Sequence, residues 1–369
     1  MTFMGLWPEE RNFSQASSYR VLAPVISMLC FICVPQSINL FFIWGDFDLM
    51  LENLSMANIT ITISLLKTVA FWSKGRPLKS LVTSMSRDWN TIVSKQDRST
   101  MLDIACTSRS LSRNSVLLVQ FVVVMYITLR FFMIRHNGRQ LFFPAYFPYN
   151  WTNSPSYELT FLAQFVATMY AANTYTAVDT FIAMLVLHTC GQLSNLRREL
   201  TGLQAVRRAE FRGKLGNIVR KHEYLNRFAG TIEDSFNKML LMQMLGCSLQ
   251  VCVQCLQALT SVIDEANELV IFQFIFLVFY VIYILLQLYL YCYIGERLLI
   301  ESTKIGYAAY DCNWYNLSPH EARSLMIIMC RTRSPLHISA GGFCSFNREL
   351  YSEILKRSVA YMSCIYAVK

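Results

Sequence analysis

The chain has 369 residues, of which 54% are hydrophobic and 15% are charged, and its formal net charge is +9. An ordinary soluble domain carries about 25% charged residues, so this composition argues against a soluble protein and favours a polytopic membrane protein. The basic residues lie in loops between long apolar runs, a placement that favours an orientation signal for a membrane over a nucleic-acid-binding face.

The apolar runs predict one all-α domain over residues 21–369, with seven membrane-spanning helices. Residues 1–20 are polar and lack a small-residue cleavage site, so we predict a cytoplasmic N-terminal segment rather than a removable signal peptide. A capping box at Ser318 and Glu321 predicts a further short cytoplasmic helix at 319–333. The spans are predicted at 21–45, 53–72, 115–134, 157–188, 238–259, 270–294 and 346–368.

The distribution of Lys and Arg predicts the orientation of these spans. Loops 73–114, 190–236 and 295–345 carry eight, nine and five basic residues, whereas the alternate loops contain almost no Lys or Arg. The positive-inside rule then places the N-terminus in the cytoplasm and the C-terminus outside, which is opposite to a G-protein-coupled receptor. Because the inner loops are long, we expect the last four spans to extend into one cytoplasmic anchor bundle.

The last predicted span is too polar for an ordinary membrane helix. Only residues 358–368 are free of charge, about 16 Å of helix at 1.5 Å per residue, about half of the roughly 30 Å of a hydrocarbon core. Two interpretations stay open: a peripheral helix at the inner interface, or a helix that faces a water-filled pore in an oligomer. In the second, the candidate pore and gate residues are Glu353, Arg357, Tyr361, Cys364 and Val368.

Three other spans carry Met and aromatic side chains at helical spacing. Packing in the core or against lipid is the commoner role of such residues. They also suit an adaptable apolar pocket for a small volatile or lipid-like ligand. The candidate ligand-binding residues from these spans are Met56, Ile59, Ile63, Phe165, Met169, Asn173, Phe276, Tyr280 and Tyr283.

Four polar residues within the spans require partners or access to water. We predict that Asp179 and His188 make interhelical hydrogen bonds rather than catalyse a reaction. Lys67 and Arg130 lie near span ends, where their long side chains are predicted to extend to the interface.

Chemical motifs are few. Asn150 begins a sequon (Asn-Trp-Thr) in the predicted outer loop 135–156 and is a candidate glycosylation site. The sequence contains no P-loop, GxSxG or HExxH motif, so we predict neither an enzyme nor a metal or cofactor site.

Several stretches resemble the insect odorant receptor family, over nearly the whole chain. The most specific lie at the end: GERLLIES (295–302), IGYAAYDCNWYNLS (305–318) and SPLHISAGGFCSFNRELYSEILKRSVAYMSCIYAVK (334–369). GLWP (5–8) and FPAYFPYNWTNSPSYE (143–158) are similar to the family as well.

The resemblance implies a ligand-gated, nonselective cation channel, built as a tetramer in the plasma membrane of olfactory sensory neuron dendrites. It implies that the last span lines the pore, with Cys364 at the apolar gate, and that an odorant pocket lies in the outer half among the second, third, fourth and sixth spans. The third span adds Tyr126 to the pocket candidates. The coreceptor's long inner-loop insertion is absent, which implies a tuning subunit that partners the Orco coreceptor.

Other chemoreceptor classes remain as alternatives. A gustatory-type or homomeric channel would share the architecture, but the TYxxxxxQF signature of gustatory receptors is missing. A G-protein-coupled receptor is disfavoured by the charge distribution, by SRNS (112–115) in place of DRY, and by the lack of NPxxY. A transporter would be favoured by discontinuous repeats, which we do not see.

Overall fold

The computed structural model of the chain describes residues 4–8, 19–203, 208–263, 268–312 and 314–368. Within these ranges nearly all regular structure is helical, as the composition predicts. The α-helices are α1 (Leu22–Met28), α2 (Val34–Phe42), α3 (Phe47–Asn53), α4 (Ile59–Ser73), α5 (Gly75–Thr91), α6 (Lys95–Asn137), α7 (Ser156–Thr201), α8 (Arg208–Ile263), α9 (Glu268–Asp311), α10 (Pro319–Thr332) and α11 (Arg348–Val368).

Four helices are much longer than a membrane is thick. The longest, α8, has 56 residues, about 84 Å at 1.5 Å per residue, whereas about 20 residues suffice to cross a bilayer. The helices α6, α7 and α9 have 43, 46 and 44 residues. These helices therefore continue well beyond the hydrocarbon core. Among the described residues, five helices are long and apolar enough to cross: Leu22–Phe42, Lys95–Asn137, Ser156–Thr201, Glu210–Ala258 and Val270–Asp311.

Two π-helical turns join short helices into longer ones. Leu29–Cys33 joins α1 to α2, and Leu54–Asn58 joins α3 to α4. The first turn precedes Pro35, whose missing N–H removes a regular helical hydrogen bond. The second makes a continuous helical segment from 47 to 73 out of two helices that are each too short to span a bilayer.

Helix α7 is the central helix of the molecule. It contacts α1, α4, α6, α8 and α9, and most of its side chains between Thr174 and Leu193 are buried. Two hydrophobic clusters pack around it. One lies where α7 meets the later helices α8–α11, and the other lies where α4, α6 and α9 meet beside the residues Phe142 and Phe143.

The C-terminal part is anchored by local hydrogen bonds. The predicted capping box of α10 is formed, because the Glu321 carboxylate accepts from the Ser318 N–H at 3.2 Å and from its hydroxyl at 2.8 Å. A two-stranded antiparallel hairpin, β1 (Ser339–Ala340) and β2 (Cys344–Ser345), then leads into α11. Its turn uses Gly341 and Gly342 at positive φ, +61° and +79°, which glycine adopts without strain.

The start of α11 is held against α9 at Gly295. The Phe346 N–H donates to the Ile338 carbonyl at 2.8 Å, and the Phe346 backbone lies directly over Gly295 of α9. A Cβ at position 295 would overlap the Phe346 carbonyl oxygen. Only glycine permits this approach, so the contact fixes where α11 begins.

We predict that Gly295→Ala destabilises the protein by about 1–3 kcal/mol, the range for overpacking a close contact. The matched control is Gly230→Ala in α8, where a Cβ would meet nothing within 4 Å and where helix propensity favours alanine by about 1 kcal/mol. The melting temperature of each variant is measured on purified protein in detergent, with size-exclusion chromatography as the readout of unfolding. Equal melting temperatures for the two variants would contradict the role given to this contact.

Candidate ligand-binding site

A small apolar cavity lies among α4, α6, α7 and α9. Its volume is about 80 Å³, well below the roughly 300–1,000 Å³ of sites that hold drug-sized ligands. The side chains around it are mainly aliphatic and aromatic. They are Ala57, Thr60, Ile61, Ser64, Val119, Val122, Val123, Tyr126, Phe143, Thr168, Ala171, Ala172, Tyr175, Phe276, Tyr280 and Tyr283.

A column of aromatic rings forms one wall. Phe276, Tyr280 and Tyr283 follow one face of α9 at spacings of four and three residues. Their ring centroids are 5.8 Å and 6.1 Å apart, and their planes are nearly parallel. Tyr126 of α6 continues the column, 5.5 Å from Phe276 and 5.1 Å from Phe143. Large side chains stacked in this way keep the cavity small.

The four tyrosine hydroxyls of the cavity already have protein partners. Tyr126 donates to the Phe142 carbonyl at 2.8 Å, and Tyr280 shares a short hydrogen bond with the Thr60 hydroxyl. Tyr175 accepts from the Gln243 amide, and Tyr283 accepts from the Gln287 amide at 3.5 Å. Tyr175 and Tyr283 only accept in these bonds, so each keeps an O–H that can donate. The rest of the lining is mainly carbon surface, which favours a largely apolar ligand.

Four of the predicted ligand-binding residues line this cavity, namely Tyr126, Phe276, Tyr280 and Tyr283. They come from α6 and α9, where large aromatic residues mark the inward face in the sequence. Their role in binding stays a prediction.

The other predicted residues lie elsewhere. Ile63 packs against Gly246 of α8, Phe165 packs edge-on against Phe142 at 6.0 Å, and Asn173 accepts a hydrogen bond from Gln120 at 3.1 Å. Ile59 and Met169 lie outside the cavity lining. The side chain of Met56 lies outside the described part of the structure.

The cavity faces of α4 and α7 are turned by about one residue from the predicted faces. On α4 the lining residues are Thr60, Ile61 and Ser64, and on α7 they include Ala171 and Ala172. One residue is about 100° of rotation in an α-helix, since 3.6 residues make a turn. The prediction followed the bulkiest side chains, but space is left where side chains are small. The signal that could have identified these faces is the small and hydroxyl residues at spacings of three and four.

A buried ion pair lies one helical turn from the cavity. Lys67 of α4 and Asp179 of α7 are 1% and 0% exposed, and Lys67 Nζ lies 2.5 Å from Asp179 Oδ1. Tyr291 of α9 also donates to Asp179, and Lys67 Nζ lies 3.5 Å from the ring centroid of the cavity residue Tyr175. The pair thus joins α4, α7 and α9 and touches the cavity through Tyr175.

The ion pair confirms one prediction and corrects another. Asp179 makes the predicted interhelical hydrogen bond. The prediction that Lys67 extends to the interface is wrong, because a carboxylate at the same depth of α7 holds its ammonium in the interior. The same prediction for Arg130 is wrong as well. Its guanidinium is buried and donates to the Leu141 carbonyl, after the chain has left α6.

His188 makes the second predicted interhelical bond. Its Nε2 lies 3.0 Å from Asp88 Oδ2 of α5. The Tyr224 hydroxyl of α8 lies 3.0 Å from both oxygens of the same carboxylate. This contact joins α5, α7 and α8, so it stabilises the helix bundle and needs no catalytic role.

Helix α11 contains the predicted pore and gate positions. Glu353 and Arg357 are exposed and form an ion pair one turn apart, as their spacing allows. They lie on a groove of about 580 Å³ between α8 and α11. Tyr361, Cys364 and Val368 belong to the same helix, but their side chains lie outside the described part of the structure. The pore assignment therefore stays a prediction.

Aromatic contacts connect α9 to α11. Tyr291, which binds Asp179, packs against Phe346 with ring centroids 5.7 Å apart. Two residues earlier, Tyr289 packs edge-on against Tyr351 of α11 at 5.5 Å. One helix thus carries the cavity wall, a partner of the ion pair and the support of α11.

The candidate glycosylation site lies at the surface. Asn150 is exposed, and its side-chain oxygen accepts from the Thr152 N–H at 3.1 Å and from the Thr152 hydroxyl at 2.6 Å. The sequon therefore forms a small local turn in the segment between α6 and α7.

Taken together, helices long and apolar enough to cross a membrane pack around an apolar cavity, which is the architecture of a polytopic helical membrane protein. Residues 46–359 match the family model described as 7tm Odorant receptor, so the chain belongs to the odorant receptor family. The resemblance predicted from the sequence and the all-α fold are thereby confirmed, and the family is one of receptors rather than enzymes.

Relatives and solved structures support this membership. The chain is 27% identical over 240 residues to Odorant receptor 13a of Drosophila melanogaster, covering 60% of this chain and 56% of that protein. It is 26% identical over 190 residues to the Odorant receptor coreceptor of Aedes albopictus, covering 51% and 38%. The matched region thus spans about half or less of these relatives. The insect olfactory receptor OR5 from Machilis hrabei, in complex with eugenol, has a TM-score of 0.86 at 17% identity, covering 99% of this chain and 95% of that chain.

We predict that removing one partner of the buried ion pair, by Lys67→Met or Asp179→Leu, destabilises the protein by about 3–5 kcal/mol, because the other charge is left uncompensated. The double variant should recover most of this loss. The control is Lys214→Met, which breaks an exposed pair with Glu210 and should change stability by at most about 0.5 kcal/mol. Melting temperatures of the four purified variants give the comparison. Additive losses in the double variant would contradict a direct interaction.

Proposed function

We propose that this chain is an odorant receptor subunit: the ligand-binding tuning subunit of a heteromeric, odorant-gated, nonselective cation channel. Family membership supports the receptor class, and similarity to coreceptors supports assembly with an Orco-type partner. The assembly we propose is a tetramer. The observation that carries the proposal is the apolar cavity whose aromatic wall belongs to the same helix that contacts α11.

The proposed ligand is a small, volatile, largely apolar molecule. The tyrosine hydroxyls of the cavity are bonded within the protein, and the rest of the lining is mainly carbon. A solved relative in fold has been determined with eugenol, a compact aromatic molecule of this kind. Because the cavity measures about 80 Å³, such a ligand enters only when rings of the Phe276–Tyr280–Tyr283 column move apart.

Movement of that column gives a route to the pore. A ligand that separates Tyr280 from its neighbours displaces α9 or rotates its side chains. Helix α9 contacts α11 through Tyr289 and Tyr351, and it contacts the segment just before α11 through Tyr291 and Phe346. The ligand stabilises the open state because it binds better to the conformation in which the column has separated.

The proposed topology follows the charge distribution. The N-terminus lies in the cytoplasm, α11 ends outside, and the inner ends of α7, α8, α9 and α11 form a cytoplasmic anchor together with α10. Four copies of α11, from this chain and its partners, would surround a pore. The exposed pair Glu353 and Arg357 would lie at its inner mouth, and Tyr361, Cys364 and Val368 would lie further along. The expected location is the plasma membrane of olfactory neuron dendrites.

A homomeric or gustatory-type channel is the main alternative. One current recording distinguishes it from the proposed heteromeric channel. Whole-cell current is measured in cells that express this chain alone, the Orco coreceptor alone, or both, across a panel of volatile compounds. We expect odorant-evoked cation current for particular compounds only with both chains. Current from this chain alone would favour a homomeric channel. Epitope tags at the two ends, detected on intact cells, test the G-protein-coupled alternative through the orientation.

We predict that filling the cavity weakens ligand response without preventing assembly. Ala172→Leu places a larger side chain in the cavity lining and should raise the half-maximal odorant concentration at least tenfold, about 1.4 kcal/mol of binding free energy. The matched control is Ala163→Leu on the same helix, outside the lining, which should leave the response unchanged. Surface labelling confirms equal expression. Unchanged dose–response curves for Ala172→Leu would exclude the cavity as the ligand site.

A further inference from the structure

A second concave surface lies apart from the ligand cavity, between α6 and α7. The N-terminal residues Met4 and Trp7 and residues of α5 border it, and it measures about 500 Å³. It adjoins a smaller cavity of about 220 Å³, and the two share the lining residues Met85, Ser108, Arg109 and Met184. We refer to the larger surface as the α6–α7 groove.

The floor of the groove is the least buried face of the central helix α7. Between Thr174 and Leu193 every α7 residue is buried except Ala177, Thr180 and Met184. These three follow one face at spacings of three and four, and all line the groove. Between Thr174 and Leu193, α7 is therefore covered on every face except the one that lines the groove.

The opposite wall presents a cation and two hydroxyls together. Ser108, Arg109 and Ser112 of α6 line the groove, and Arg109 is exposed. Among the described residues, neither the guanidinium nor the two hydroxyls has a hydrogen-bond or ion-pair partner. Farther along α6 the lining becomes apolar at Val116, where the uncharged run of this helix begins. The groove is thus positive at one end and mainly apolar along the rest, where Asn173 and Thr180 are the polar exceptions.

This arrangement fits an amphiphile with an anionic head. A guanidinium binds phosphate oxygens through paired N–H donors, and serine hydroxyls can add further donors. Arg109 lies six residues, about 9 Å of helix, before the predicted start of the span at 115, which places it at headgroup level. Met and aliphatic side chains with small residues on the floor suit an acyl chain.

The charge of the groove favours a lipid over a second copy of this chain. Within the described part of the structure, Arg109 is the one charged residue of its lining, and it lies at the end of the groove where anionic lipid headgroups of the cytoplasmic leaflet would lie. The chain itself is basic, with a net charge of +9, so a lipid phosphate is the better partner for this cation.

We propose that the α6–α7 groove is a binding site for an anionic glycerophospholipid, with its phosphate at Arg109, Ser108 and Ser112 and an acyl chain along Ala177, Thr180 and Met184. In the topology proposed above, this lipid belongs to the cytoplasmic leaflet, whose surface is anionic. The site is separate from the ligand cavity and does not depend on channel activity.

Tryptophan quenching tests this site directly, since Trp7 borders the groove. The full chain is reconstituted in phosphatidylcholine vesicles containing a minor fraction of brominated phosphatidylserine or, in parallel, brominated phosphatidylcholine. We expect the serine lipid to quench at about fivefold lower mole fraction, as expected for one basic residue at an anionic surface. Trp7→Phe should remove the difference in quenching between the two lipids. That result would assign the difference to lipid bound in the groove.

Two charge variants complete the test. Arg109→Gln should abolish the preference for the serine lipid, whereas Arg109→Lys should retain part of it because the charge remains. The matched control is Arg98→Gln, an exposed arginine on the same helix, about 16 Å away. Equal quenching by both lipids in the unaltered chain, no quenching by either, or a preference that survives Arg109→Gln would overturn the proposal. Circular dichroism confirms that each variant is folded.

Discussion

The ion pair between Lys67 and Asp179 is the interaction on which the arrangement of the membrane helices depends. Two charges with almost no exposure have a large desolvation cost, which only close mutual contact offsets. A rotation of α4 or α7 about its axis would separate them and leave a charge in an apolar interior. The pair therefore fixes the rotation of both helices, and Tyr291 extends the same constraint to α9.

Much of the fold follows from the sequence because membranes impose simple rules. The long apolar runs locate α6, α7, α8 and α9, and Ser318 with Glu321 marks the start of α10. Lys67 and Arg130 were harder to place because their partners are remote in sequence or are backbone carbonyls. A long side chain near a span end reaches the interface unless such a partner exists, and a single sequence does not reveal helix pairing.

The lining of the candidate cavity was predictable on α9 and less so on α4. Aromatic residues at helical spacing identified Phe276, Tyr280 and Tyr283, because a packed wall needs bulk. Open volume arises where side chains are small, as at Ser64 and Ala171. Hydropathy and size favour the bulkiest face of a helix, so this kind of pattern is systematically turned away from a cavity.

The internal bonding of the tyrosine hydroxyls also bears on how the receptor distinguishes molecules. A site that hydrogen-bonds its ligand can reject an analogue lacking the polar group by a factor of about 10⁴–10⁵, whereas a purely apolar site separates homologues that differ by one methylene only about 10–200-fold. With Tyr126 bonded to the Phe142 carbonyl and Tyr280 to Thr60, and with a lining that is mainly carbon, a ligand in this cavity would be selected largely by shape. Under the proposed function, such a receptor would grade a homologous series instead of singling out one member, and odour identity would be encoded by comparison among several receptors.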